Sequence, residues 1–199
     1  LKINLLILSC YTFTMRIVFL TPKLNFKTAG GSVFDIDLKA RAFQELGHEV
    51  LMVTVFSQSN IRPEPLPYET VEEFNFRRGQ LGISWNIFKL LRKYESRADF
   101  FHIDGHIFFY GAGIYKAMGG EVPVVSFHNR ELVVFPQDIP SYSFGIPDIP
   151  LPTFFIRLKQ ILRFWIEKVF GTWLANKIEI STFTSPVIQK VYNDFGYKT

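Results

Sequence analysis

The 199 residues contain a single cysteine, Cys10. An internal disulfide and a cysteine metal cluster are therefore excluded, and a reducing compartment is the natural expectation. Charge of either sign is scarce: charged side chains make up 20% of the chain and the formal net charge is only +4. That balance accommodates anionic partners, phosphate or an anionic membrane surface, but offers no dense basic tract of the kind that follows a nucleic-acid backbone. Nucleic acid is not expected as a partner. There is no P-loop, no G-x-S-x-G elbow and no G-x-G-x-x-G fingerprint, and no internal repeat or low-complexity tract. No spacing of histidine, cysteine and carboxylates suggests a metal site, so neither metal nor cofactor is expected. What the chain does have is apolar content, 48% hydrophobic residues, enough for the core of one large domain.

The first fourteen residues, LKINLLILSCYTFT, place Lys2 ahead of an apolar run that meets Arg16. The run is too short to span a bilayer, and no small-x-small cleavage site follows it. Residues 1–14 read as a tail or as upstream read-through, with membrane contact as the other option. The domain proper is expected over residues 15–199.

The organising stretch is MRIVFLTPKLNFKTAGGSVFDIDLKARAF, residues 15–43. Arg16 to Thr21 is a short apolar run without polar alternation, the pattern of a strand buried on both faces of a parallel sheet. Gly30 and Gly31 follow a polar loop, and Ser32 is placed to cap a helix carrying Val33, Ile36, Ala40 and Phe43 on one side. Adjacent glycines before a helix leave backbone amides accessible, and the helix dipole favours an anion there. A plain chain turn explains the same pair equally well.

Gly47 is a good left-handed cap, and a second buried strand is expected from Val50 to Phe56. A proline-rich loop leads to short segments at 68–71 and 74–77 that suit a hairpin or an added edge. Trp85, Phe88 and Leu91 give residues 84–94 helical spacing, with Lys89 and Lys93 opposite. Phe100 to Asp104 reads as a strand, residues 105–118 as a buried aromatic helix, and Val122 to Phe127 as another strand. A long loop with five prolines, residues 128–152, has the character of a functional connection. Thr153 is then placed to cap a helix reaching Asn176. In it Phe154, Leu158, Ile161, Leu162, Trp165, Val169 and Trp173 recur at three- and four-residue steps, and burial against the sheet is the expected explanation. Arg157, Lys159, Arg163 and Lys168 occupy the rest of that helix against a lone Glu167. A last strand over 177–182 and a helix opened by Ser185-Pro186 complete the chain. Alternating strands and helices predict an α/β fold with a Rossmann-like, doubly wound parallel sheet.

Ligands of such sheets bind at the carboxyl ends of the strands. That rule selects Gly30, Gly31 and Ser32 after the first strand, and Asp104, Gly105 and His106 after Phe100–Asp104. After the next strand it selects His128, Asn129, Arg130 and Glu131. His128 is the most interesting of these, since an imidazole at a strand end can donate to a sugar hydroxyl or phosphate, or shuttle a proton; anchoring a loop is its other possible role. His102, inside a strand, reads as a core histidine, and His48 as a helix–strand packing residue. The second strand ends in Ser57-Gln58-Ser59 without the acidic residue that would hold a cofactor ribose, which disfavours a nicotinamide dehydrogenase.

The runs MRIVFLTPKLNFKTAGGS, LKARAFQELGHEVLMVTV, ADFFHIDGH and PVVSFHN together resemble the N-terminal domain of retaining glycosyltransferases of the GT-B fold. That large family, subfamily 4, includes sucrose synthases, lipopolysaccharide glucosyltransferases and phosphatidylinositol mannosyltransferases. The resemblance covers residues 15–185. It implies that Gly30 and Gly31 match the glycine pair beside the donor diphosphate and acceptor, and that His128 matches the active-site histidine near the transferred sugar. Asp99 and His102 match the family's strand pattern. Where many members carry a second histidine two residues on, this chain has Asp104, with His106 later. Members of the family have a second Rossmann-like domain with a Glu-x7-Glu motif and most of the nucleotide contacts. The same spacing at Glu64 and Glu72 falls in the proline-rich loop and reads as coincidence.

The resemblance implies one half of a GT-B enzyme, the acceptor-side domain, with the C-terminal donor domain absent. Such an enzyme moves a sugar from a nucleotide-sugar donor to an acceptor hydroxyl on a glycan or lipid with retention of configuration. Asp104, Asn129 and Arg130 join the glycines as expected donor or acceptor contacts, with a cytoplasmic setting and peripheral contact with the inner face of a membrane. The alternative is a non-catalytic binding or partner subunit using the same crevice.

Overall fold

A computed structural model describes residues 13–27, 31–61, 65–76, 79–104, 108–128 and 154–198. Six strands form one parallel sheet: β1 Arg16–Thr21, β2 Glu49–Thr54, β3 Glu69–Glu72, β4 Phe100–Asp104, β5 Val124–His128 and β6 Ile180–Phe183. Their order is β3-β2-β1-β4-β5-β6. The helices are α1 Gly31–Glu45, α2 Gly79–Tyr94, α3 Phe109–Ala117, α4 Phe154–Ile166, α5 Thr172–Ala175 and α6 Pro186–Phe195. This is the doubly wound Rossmann-like arrangement that the alternation predicts.

The apolar runs explain the order of burial. Five of the six residues of β1, and likewise of β2, are buried, as central strands covered on both faces must be. Alternate side chains go to opposite layers. Ile17, Phe19, Val50 and Met52 pack with Val33, Ile36 and Ala40 of α1. Val18, Leu20, Leu51, Val53, Phe101, Ile103 and Val124 pack with α2, α3, α5 and α6 through residues such as Leu91, Phe109, Ala175 and Tyr192. At the amino edge, Asp99 accepts the amide of Arg16 at 2.7 Å and its guanidinium at 2.8 Å, fastening the start of β4 to the start of β1. Asp99 thus has a structural use at the amino edge, remote from the carboxyl edge.

Gly47 caps α1 at a φ of +87°, where a side chain would be strained. Its amide donates to Gln44 O at 2.9 Å and that of His48 to Phe43 O at 3.0 Å, the paired bonds of a Schellman ending. The ring of His48 then lies 5.9 Å from Phe43, consistent with a packing role. Ser185 caps α6, its hydroxyl accepting from the Ile188 amide at 3.3 Å, with Pro186 in the first turn. Of the two readings for residues 68–77, the added edge is found, since β3 pairs in parallel with β2.

Three expectations need correction. Helix α1 already includes Gly31, so Ser32 lies inside the first turn and is not its N-cap. In α2 the inward stripe is Ser84, Ile87, Leu90, Leu91 and Tyr94; Trp85 is exposed, because the face drawn in is the one that meets α3. The largest change concerns residues 154–175. Helix α4 continues through a π-helical turn, Glu167–Gly171, into α5. Among its described residues only Glu167, Gly171, Thr172 and Ala175 are buried, and Phe154, Leu158, Ile161, Leu162, Trp165, Val169 and Trp173 are all exposed. The tail over 1–12, the cap at Thr153 and the loop over 129–152 lie outside the described residues.

Candidate functional site

The strand order reverses direction between β1 and β4, and in open α/β sheets the crevice outside the carboxyl ends at such a reversal receives the ligand. Helix α1 returns from β1 to β2, so its first turn, with Gly31 and Ser32, stands at that edge. A side-chain carbon built on Gly31 would meet none of the described residues within 4 Å. Gly31 is not among the positive-φ glycines. Its backbone conformation therefore does not itself require a glycine. Gly30 lies outside the described residues.

Polar side chains cluster at the end of β2, where Thr54 and Ser57 are buried. The Thr54 and Ser57 hydroxyls are 2.6 Å apart. Asn60 donates to Thr54 Oγ1 at 2.9 Å and to Glu72 at 3.1 Å, while its Oδ1 accepts the Leu24 amide at 2.9 Å. Asn25 reaches across to the Ser59 carbonyl at 3.2 Å. One asparagine thus fastens the loop after β1 to the turn after β2. Sequence reasoning saw only that Ser57-Gln58-Ser59 lacks a ribose-binding acid. The turn-forming cluster Ser-Gln-Ser-Asn was the available signal.

Asp104 ends β4 and is buried. Alternation in the strand assigns it, with His102, to the layer of α1, opposite Phe101 and Ile103. His128 goes the other way. It shares the face of Val124, is only 2% exposed, and sits among Tyr192 at 4.7 Å, Phe183 at 5.1 Å and Phe109 at 5.4 Å between ring centroids. Its Nε2 lies 2.9 Å from the Ser126 hydroxyl. The sheet thus brings the start of α1 and Asp104 to one layer and carries the imidazole of His128 to the other. His106, Asn129 and Arg130 lie outside the described residues.

A second polar group sits beneath α1 and was not anticipated as a unit. Lys39 pairs with Asp35 at 2.6 Å, and its ammonium lies 3.4 Å from the centroid of the Phe127 ring. The ring of His102 lies tilted against that of Phe19, 4.8 Å between centroids. Burial, reinforced by the positive charge of Lys39, pushes the imidazole down to about 4, so it is neutral at physiological pH. The i,i+4 spacing of Asp35 and Lys39 was the legible part of this group.

The described residues contain no group of histidine, cysteine and carboxylates able to hold a metal ion, and no described helix is long and apolar enough to cross a membrane. No known family model matches the chain, and no curated protein matches it significantly.

Proposed function

We propose that this chain is the acceptor-side domain of a retaining glycosyltransferase, which transfers a sugar from a nucleotide-sugar donor to an acceptor hydroxyl of a glycan or lipid. The observation that carries the reading is the first turn of α1 at the reversal of strand order, where a side-chain carbon on Gly31 would meet none of the described residues. In sugar transfer the bond from the anomeric carbon to the diphosphate breaks and a bond to the acceptor oxygen forms. Charge grows on the leaving diphosphate while the acceptor gives up its proton. Amides at a helix start, preorganised and dipole-aligned, stabilise that growing charge, and the donor-side domain supplies the remaining cations. Asp104, at the end of β4, offers a carboxylate for sugar or acceptor hydroxyls in the same layer.

The burial of His128 favours a second reading, a non-catalytic binding module that uses the same crevice, because a histidine enclosed by Phe109, Phe183 and Tyr192 is suited to anchoring the loop that leaves β5. The experiment is sugar transfer by the complete product of the reading frame, using a panel of nucleotide-sugar donors and labelled acceptors. Gly31→Val is expected to reduce kcat/KM by roughly a hundredfold or more with an unchanged melting temperature, since none of the described residues obstructs the new side chain. Wild-type turnover in that variant removes the loop from the site. Glycan binding without turnover on any donor favours the binding module. His128→Ala separates the roles further, because a catalytic histidine costs turnover whereas an anchor costs only stability.

A further inference from the structure

We propose that the outer face of the run from α4 to α5 docks in the plane of an anionic lipid bilayer, independently of whether the chain transfers sugar. Six large side chains carry the case: Phe154, Leu158, Leu162, Trp165, Phe170 and Trp173. Each is more than half exposed, Phe154 reaching 73%. At 1.5 Å per residue they form an apolar ridge about 30 Å long. An exposed apolar surface on that scale marks an interaction site rather than ordinary surface scatter.

Charge and residue type select the occupant. The ammonium of Lys168 lies 5.9 Å from the Trp165 ring centroid, and that of Lys177 lies 5.4 Å from the Trp173 ring centroid. Two exposed indoles, each beside a lysine, suit the boundary between headgroups and acyl chains, where amphipathic rings lie level with lipid headgroups and lysines reach for phosphate. The sequence adds Arg157, Lys159 and Arg163 to the same helix, and its lone acid, Glu167, is buried on the protein side. An apolar ridge with cations and no exposed acid complements an anionic membrane surface. The binding is peripheral, since no described helix meets the length and apolarity needed to span the bilayer.

The test is co-sedimentation of the chain with mixed phosphatidylcholine–phosphatidylglycerol vesicles and with phosphatidylcholine alone. Binding is expected only to the anionic vesicles, with release as salt rises. The double variant Trp165→Glu/Trp173→Glu should bind roughly tenfold more weakly or worse at an unchanged melting temperature. Lys168→Glu/Lys177→Glu should weaken binding and flatten its salt dependence while leaving the apolar ridge in place. The proposal is overturned if anionic vesicles leave the chain in the supernatant, or if neither double variant alters sedimentation. It is equally overturned if the complete product of the reading frame ignores vesicles that the 199-residue chain binds, which would make the ridge an intramolecular contact. Self-association in sedimentation velocity, lost in the tryptophan variant while vesicles stay unbound, would assign the ridge to a second copy and also overturn it.

Discussion

Helix α2 and the run from α4 to α5 read alike in sequence, with aromatic and aliphatic residues at three- and four-residue steps, yet one buries an apolar stripe and the other displays it. The difference lies in the neighbour they share. On α3, a side-chain carbon added to Gly111 would come within 2.5 Å of both the Ser84 carbonyl oxygen and Ile87 Cβ, so the missing side chain is what lets α2 settle against α3. Gly113, one turn-face away on the same helix, gives equivalent access to the backbone of Leu174. Gly171 in the π-helical turn admits the ring of Tyr110, which an added carbon would approach to 2.7 Å. The second helical run is therefore held by its C-terminal turns and by Phe164, whose ring lies 5.5 Å from that of Phe195, while the outer face of residues 154–166 stays exposed. Periodicity says that a helix has an apolar face; a small residue on the neighbouring helix decides which part of it is drawn in.

The strongest way to break that comparison is Gly111→Val. Its branched side chain would meet backbone in α2 that cannot step aside, and overpacking of this kind costs 1–3 kcal/mol, occasionally more. With a backbone oxygen as the obstacle the loss should exceed about 3 kcal/mol, read from urea denaturation. A wild-type midpoint would show that close approach does not hold α2. Next in size is Leu91→Ala, at a fully buried position of α2, where a loss of about 3 kcal/mol is expected from lost burial and the cavity left behind. A cost below about 1 kcal/mol would mean that α2 is packed no better than α4.

The layer beneath α1 sharpens the contrast through pH. The imidazole of His102 titrates near 6.5 when unfolded but is held down to about 4 in the native protein, first by burial and then by Lys39. Above pH 6.5 it is neutral in both states and has no effect on stability. As pH falls from 6.5 toward 4 the unfolded chain binds a proton that the folded one refuses, so stability declines across that window. The full decline is about 3 kcal/mol at 1.36 kcal/mol per pH unit. His102→Phe, which keeps a ring against Phe19, should abolish this component. Comparing urea midpoints of the two proteins at pH 7 and pH 4 isolates it from carboxylates that also titrate in acid, such as Glu73 and Asp99. Equal pH dependence in both proteins would show that His102 is solvated in the native state.

Much of the sheet was legible because buried parallel strands announce themselves as unbroken apolar runs: β4 was read at its observed bounds, Phe100–Asp104. The ending of α1 at Gly47 and the Ser185-Pro186 start of α6 were legible because cap chemistry is local. The exposure of the 154–175 stripe was not, since it depends on which turns of the run meet a glycine such as Gly113, and that is a relation between distant residues. The same limit applies at the candidate site. Strand ends pointed to Gly31, Asp104 and His128 as neighbours along one edge. Which face each side chain takes follows from strand alternation and register, and that separates Asp104 from His128. Asn60 was missed because its importance lies in joining two loops 36 residues apart in sequence, through the Leu24 amide.

The smallest expected effect tests the exposed half of the comparison most directly. Leu162 is 59% exposed on α4. Glutamine has nearly the same intrinsic preference for a helix as leucine, and removing an apolar side chain that already faces water forfeits little burial. Leu162→Gln should therefore change unfolding stability by no more than about 0.5 kcal/mol, the ordinary range for surface positions. The same chemical change at Leu91 would bury an amide and remove packing at once, with a cost of several kcal/mol. The pair uses one substitution in two helices of similar pattern and so cancels propensity, leaving burial as the difference. A loss at Leu162 of about 2 kcal/mol or more would mean that something covers α4 in solution, either another part of the chain or a second copy. If the loss grew with protein concentration the cover would be a second copy, because folding and association are then linked by mass action. If it did not, α4 would be packed within its own chain, and the contrast with α2 would disappear.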